Sequence, residues 1–534
     1  MKRIILTFAT LVALFAVSAQ SASTVIIPRP LEATQAKGVF VVTPKTIIAP
    51  AEESLVRPAE IFAEYIASEA GISLAVERGG KKGIILSIDN SLGKEEYTLD
   101  VTPKGVNIKG GTPQGVFYAL QSLRQMISAG EQGKKGVEIE AVSIKDKPLL
   151  GYRGAMLDVC RHFFTVKEVK SFIDMIAMHK MNVFHWHLTE DQGWRVEIKK
   201  YPNLIKIGSE RKETIIGRND SSSYDGTPHG GYYTQEEIRE VVKYAAERYI
   251  DIIPEIDMPG HMVAALASYN YLGCRDEKFQ VRTKWGISKD VLCIGKESTF
   301  KFIEDVLEEI FDLFPSKYIH LGGDEAPRDR WKECPLCQKR IKEEGLKDEN
   351  ELQSYFTHRV EAILAKHGRK IIGWDEVIKG GVAKSVTVML WNDYRRQQAT
   401  TLGNDVILSP KFFCYFDYYQ TLRPYSNKEG LMFTKRTATL RKAYSLDPYE
   451  NLAPEHHKNI KGVQCNLWTE FISTFERVQH KMLPRMAGTA EAGWSQGEKN
   501  FDDFARRLNH LRKLYDKAGF THYSTYFFDG VDEK

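Results

Sequence analysis

Tyr152-Arg153-Gly154-Ala155-Met156-Leu157-Asp158 is the stretch at which the reading of this chain turns. It is short, largely apolar and ends on a carboxylate, which is how a strand buried in a sheet with a polar group at its tip reads. A helix start follows, because Thr165 and Glu168 have the spacing of a capping box ahead of an apolar-periodic stretch. The same alternation recurs toward the C-terminus. Strands are expected at 152–158, 182–188, 250–256, 317–322, 370–374, 386–391, 405–409 and 461–468, and a second capping box pairs Thr234 with Glu237. Strand and helix alternating about eight times over roughly 350 residues predict an α/β fold, a (β/α)8 TIM barrel with insertions. A doubly wound open sheet is the rival arrangement. The first strands lack a Gly-rich phosphate loop, which weakens its nucleotide-binding form.

Upstream of that run the rhythm differs. Residues 24–147 predict a small α+β domain, with extended runs over 83–88, 97–101 and 106–108. Pro113 to Ile127 then sets Val116, Leu120, Leu123 and Ile127 on one helical face. Residues 148–534 are assigned to the barrel, with a last helix at about 500–518 expected on the barrel's exterior. Residues 1–22 read as a secretory signal peptide. Lys2 and Arg3 precede an apolar run from Ile4 to Val17, and Val17-Ser18-Ala19 offers small residues for cleavage. No later segment is long and apolar enough to span a bilayer, so the expectation is an exported protein, periplasmic or extracellular, with no membrane span.

At 534 residues the chain calls for two domains, one of them large. A formal charge of +4 over that length is nearly balanced and gives no case for nucleic acid or an anionic membrane as the main partner. Nothing in the pattern fixes an oligomeric state. The seven cysteines are Cys160, Cys274, Cys293, Cys334, Cys337, Cys414 and Cys465. Cys334-Pro335-Leu336-Cys337 alone is compatible with zinc or redox chemistry, but no second closely spaced Cys or His pair accompanies it. The expectation is therefore a structural pair, reduced or bridged, with no metal and no cofactor.

Catalytic groups of such barrels gather at the C-terminal ends of the strands. Those ends here carry Asp158-Arg161-His162, His185-Trp186-His187 with Glu190-Asp191, Glu255-Asp257-His261, Asp324-Glu325, Trp374-Asp375-Glu376, Trp391, Tyr415-Asp417 and Trp468-Glu470. Tryptophan faces stack on pyranose rings, and carboxylates bond hydroxyls or move protons, so the recurrence points to a sugar site. Gly322-Gly323 leaves room for a ligand, and the adjacent Asp324 and Glu325 disfavour simultaneous ionisation. Two rivals remain. His185-x-His187 with His261 and Asp257 could hold a catalytic metal. A carbohydrate-binding protein without catalysis is the other.

His320-Leu321-Gly322-Gly323-Asp324-Glu325 resembles the signature of glycoside hydrolase family 20, the β-N-acetylhexosaminidases. The resemblance extends through 152–158, 184–195, 254–261, 373–376 and 467–470, and Gly105 to Ile127 is similar to the small domain that precedes the barrel in this family. It implies an exo-acting retaining enzyme that removes terminal β-linked GlcNAc or GalNAc from glycans through an oxazolinium intermediate. Glu325 would be the general acid and then the base, and Asp324 would orient the 2-acetamido group. Tyr415 would bond the acetamido carbonyl, with Trp374, Trp391 and Trp468 lining the pocket. Arg153, Asp417 and Glu470 would hold sugar hydroxyls. Asp191, preferred over Glu190, would tune Glu325 together with His261. Pattern alone does not place Arg153 at a strand tip, since it stands early in its run.

Overall fold

The computed structural model describes residues 24–218, 220–421 and 436–531. The proposed signal peptide lies outside the described residues. Among them, no helix is long and apolar enough to cross a membrane.

The first part of the chain folds as a mixed sheet with two helices. Its strands are β1 (Glu32–Val42), β2 (Ile47–Pro50), β3 (Ala75–Val76), β4 (Gly83–Ile88), β5 (Tyr97–Thr102), β6 (Gly105–Gly110), β7 (Glu131–Gln132) and β8 (Val137–Asp146). They lie in the order β1-β8-β5-β6-β4-β2-β3, with β7 paired to β8. Helix α1 (Val56–Ala70) and helix α2 (Pro113–Ala129) join this layer. Val116, Leu120, Leu123 and Ile127 are buried, as the helical spacing predicts.

The second part is the closed barrel. Its strands are β9 (Tyr152–Asp158), β10 (Val183–His187), β11 (Asp251–Glu255), β12 (Tyr318–His320), β13 (Lys370–Trp374), β14 (Thr387–Leu390), β15 (Val406–Leu408) and β16 (Ile460–Leu467). All eight neighbouring pairs are parallel, and β16 closes on β9. The eight expected strands are therefore all present. Both capping boxes form: Thr165 heads α3 (Val166–Met178) and Thr234 heads α4 (Gln235–Ala246).

The last long helix, α5 (Phe501–Lys517), does more than the packing on the barrel that the sequence leads one to expect. It lies on the barrel, where Tyr515 Oη meets His179 Nε2 at 2.8 Å, but it also reaches the small domain, with Lys517 Nζ donating to Ser128 O at 3.0 Å. Arg506 and Arg507 on this helix donate to the carbonyls of Thr24 and Ile26. The two domains also share a buried polar seam. Lys180 Nζ sits 3.3 Å from Asp146 Oδ2 and 2.9 Å from Tyr97 Oη, while Trp494 Nε1 donates to Asp146 Oδ1 at 3.0 Å.

A polar layer crosses the barrel interior. Glu255 accepts from Trp374 Nε1 at 2.9 Å, and its carboxylate faces His185 at 2.9 Å, His320 at 3.0 Å and His187. Burial alone would raise its pKa, but the three imidazoles hold it well below the usual range. His185 and His187 both face Glu255 in this layer, fully buried.

Candidate active site

The site is built on strand tips. After β12 the chain runs into Leu321-Gly322-Gly323, where φ is +65° at Gly322 and +88° at Gly323. A Cβ on Gly322 would stand 1.8 Å from Asp257 Oδ1, so the glycine serves both the left-handed backbone and the close approach of that carboxylate. Glu325 itself is left-handed at φ 43°, an uncommon state for a residue with a Cβ and one that collects at functional sites. The turn separates the two acids. The Asp324 side chain is 15% exposed and that of Glu325 38%.

His261 joins them. Its Nε2 lies 3.7 Å from Asp324 Oδ2 and 3.6 Å from Glu325 Oε2. On its other side Nδ1 lies 2.9 Å from Glu190 Oε1 and 3.9 Å from Asp191 Oδ2. Burial disfavours the imidazolium, but Glu190 and Glu325 outweigh it and raise the His261 pKa well above its ordinary value. Glu190 is correspondingly pushed to about 2, burial being overcome by Arg161 and His261. The preference for Asp191 is therefore corrected. Both acids are buried, Glu190 is the nearer partner of His261, and Asp191 is engaged elsewhere. It accepts from Arg282 Nη1 at 2.8 Å and from the Val263 N–H at 3.1 Å, tying down the loops after β11.

Asp324 holds its proton far above the ordinary carboxyl range, to about pH 8, through burial and the nearby Glu325 and Glu376, against the pull of His261. Its Oδ1 is buried without a hydrogen-bond partner among the described residues, and so is Asp417 Oδ1. Buried unsatisfied acceptors of this kind cost stability and await a donor.

An aromatic wall stands beside them. Trp374 and Trp468 have ring centroids 5.8 Å apart, Tyr415 and Trp468 6.2 Å, and Trp391 stacks on Tyr415 at 6.3 Å with an 18° interplanar angle. Each indole is fixed by a carboxylate or a cation. Trp374 donates to Glu255, Trp391 Nε1 donates to Glu376 at 2.8 Å, and the Arg161 guanidinium lies 5.0 Å over Trp468. Apolar faces with few polar anchors suit a pyranose ring and its acetamido methyl.

Two half-buried acids complete the site. Asp417 is raised to about 8 by burial and by Glu470 beside it. Burial also raises Glu470, against Arg161. Arg161, in turn, pairs with Asp158 at 3.2 Å and with Glu190. Arg153 is not part of this group, which corrects the sequence expectation. Its guanidinium points out of the barrel wall into the domain seam, bonding Glu95 at 2.5 Å, Tyr118 Oη at 3.1 Å, Lys180 O at 3.0 Å and Leu150 O at 2.7 Å. The arginine at the tip of the same strand run, Arg161, occupies the place assigned to it. The rule that strand tips carry the chemistry would have selected Arg161 directly.

The cysteine expectation is corrected as well. Cys334 and Cys337 do have further thiol partners, Cys274 and Cys293, brought together by the fold.

Residues 150–497 match the model of the catalytic domain of glycosyl hydrolase family 20, and residues 23–147 match domain 2 of that family. The chain belongs to glycosyl hydrolase family 20. A β-hexosaminidase from Porphyromonas gingivalis is 43% identical over 514 residues, which are 93% of this chain and 64% of that protein. The chain thus spans just under two thirds of that relative's length. A β-hexosaminidase from Akkermansia muciniphila is 35% identical over 466 residues, 86% of this chain and 92% of the relative. The family 20 exo-β-N-acetylglucosaminidase from Vibrio harveyi, solved with N-acetylglucosamine, superposes with a TM-score of 0.84 at 31% identity, covering 95% of this chain and 79% of that one. The barrel is thus that of a glycoside hydrolase, and its small domain is the family's domain 2.

Proposed function

We propose that this glycoside hydrolase is an exo-acting, retaining β-N-acetylhexosaminidase that removes terminal β-linked GlcNAc or GalNAc from glycans with the substrate's acetamido group as nucleophile. The observation that carries the reading is Asp324: a buried carboxyl with an unpartnered oxygen, next in sequence to the more exposed Glu325. An amide N–H arriving at that oxygen favours the ionised carboxylate and aligns the amide oxygen with the anomeric carbon. The amide oxygen then forms a bond to that carbon while the bond to the leaving oxygen breaks, and Glu325 gives its proton to the leaving group. The carboxylate left on Glu325 faces the His261 imidazolium, which lowers the cost of giving up the proton. Water opens the oxazolinium ion from the face the leaving group vacated, with Glu325 taking the proton, so configuration is retained. Asp417, Glu470 and Arg161 hold the hydroxyls of the terminal ring, and Tyr415 bonds the acetamido carbonyl. The name of the Vibrio harveyi neighbour supports exo action.

The test is the dependence on the acetamido group. Aryl β-glucosides and de-acetylated glucosaminides should be nearly inert even at saturation, and successive fluorines on the acetyl group should slow turnover stepwise. Asp324→Asn should flatten that dependence. Trapping of an Asp or Glu side chain by a fluorosugar would overturn the mechanism. We also propose that the chain is exported, on the strength of the sequence of residues 1–22. N-terminal sequencing of the protein from the periplasmic or culture fraction should then begin between residues 20 and 23, whereas a full-length protein confined to the cytosol would refute export.

A further inference from the structure

The sequence keeps Cys274 and Cys293 nineteen residues apart, and both far from the Cys334/Cys337 pair. The fold brings the four sulfurs together. Cys274 Sγ lies 3.8 Å from Cys337 Sγ, and Cys293 Sγ lies 3.7 Å from Cys334 Sγ and 3.6 Å from Cys337 Sγ. All four lie within 4.8 Å of one another, three of them buried and Cys274 half-buried.

We propose that Cys274, Cys293, Cys334 and Cys337 bind one structural zinc ion as a tetrahedral four-thiolate site. With Zn–S bonds of about 2.3 Å, a tetrahedron has S–S edges of about 3.8 Å, which is the spacing of the three pairs at 3.6–3.8 Å, all four sulfurs lying within 4.8 Å of one another. Four thiolates, no imidazole and no carboxylate make a soft donor set that favours zinc and leaves no open position for chemistry. Cys334-Pro335-Leu336-Cys337 supplies one half, with Cys334 capping the helix Pro335–Glu343 and Cys337 in its first turn. The other half comes from the loops after β11. The two halves are pressed together at Gly295, where a Cβ would stand 2.3 Å from the Leu336 carbonyl carbon and 2.5 Å from the Cys337 nitrogen. Lys296 flanks the ligand-bearing turns, and Arg275, beside Cys274, is paired with Glu277 and Asp290. Lys296 is held there by the carbonyls of Tyr271 and Gly273.

The consequence is positional. The ion would join the loops after β11, which carry His261, to the segment after β12, which carries Glu325. The segment between Cys274 and Cys293 contains Arg282, bonded to Asp191, and Ile287, which lines a cleft beside Glu325. Trp331 Nε1 adds a bond to Leu292 O at 2.9 Å. The site touches no reacting atom, so it stands whatever sugar the enzyme cleaves.

Elemental analysis of the purified full chain, prepared without added metal, should find one zinc per molecule. An organomercurial titrated in the presence of a chromophoric chelator should release that equivalent. Cys274→Ser and Cys334→Ser should each lose the zinc, while Cys414→Ser retains it. Metal-stripped protein should be cut by trypsin between residues 275 and 292, where the zinc form resists. If the serine variants fail to fold, the unmutated chain decides through its metal content and mercurial release. Metal-free chain with two disulfides, metal-free chain with four reactive thiols, or bound iron in place of zinc would each overturn the assignment.

Discussion

His261 lies within 3.6 Å of Glu325 and within 2.9 Å of Glu190, so one imidazolium serves two carboxylates. On the proposed mechanism its effect falls on the moment of proton loss from Glu325, and that is where a substitution should be felt. Glu325→Gln should lower turnover by roughly 10²–10⁴-fold on substrates with poor leaving groups and by less on activated aryl glycosides. Equal losses on both, measured as kcat, would remove Glu325 from that role. Asp417 gives a second prediction. Its carboxyl is ordinary in the unfolded chain, near 3.8, and raised to about 8 in the fold. Between those pH values the folded state binds the proton and the unfolded state does not. The stability this contributes is present in full below about pH 4 and is lost as pH rises through about 8. Asp324 has the same sign, whereas Glu190, lowered to about 2, contributes stability above about 4.5 that is lost as pH falls. Asp417→Asn should therefore flatten the fall in Tm between pH 5 and pH 8. Melting curves that stay parallel to those of the unsubstituted protein would contradict this origin of the pH dependence.

Elements were more legible in the sequence than the directions of their side chains. Apolar runs with carboxylate or tryptophan tips located all eight barrel strands, because a strand covered on both faces reads as a continuous apolar stretch. The same continuity hid the parity of β9. Tyr152 faces the barrel interior, while its neighbour Arg153 faces outward, and with both faces buried no polar alternation marks which is which. Capping boxes were readable because they are local, their partners three residues apart. The four thiols were not, because their convergence depends on how loops after two neighbouring strands fold back. The choice between Glu190 and Asp191 failed for a related reason. The tight pair Thr189–Glu190 and Gly193–Trp194 turns both acids inward, a geometry that adjacency in sequence does not record.

At the scale of the whole molecule, the two arginines of the β9 region are placed apart, Arg161 among the acids of the candidate site and Arg153 between the domains. Arg153, fully buried, pairs with Glu95 and lies over Trp494 and Tyr118 between the domains. Removing one partner of a buried pair costs about 3–5 kcal/mol. Arg153→Met should therefore lower Tm sharply, while the folded fraction keeps its KM. Arg161→Lys should do the reverse, raising KM with a small change in Tm, because Lys cannot reproduce the fork that spans Asp158 and Glu190. A raised KM for the Arg153 variant at full folding would return it to the substrate site. The helix Phe501–Lys517 adds an order in time. Its arginines hold the carbonyls of Thr24 and Ile26, so the first described segment is clasped by one made more than 480 residues later. On a ribosome or in a translocation channel, that clasp cannot close until residue 507 has been added and has cleared the exit. The small domain must wait, its leading edge unfastened, until the whole barrel has been made.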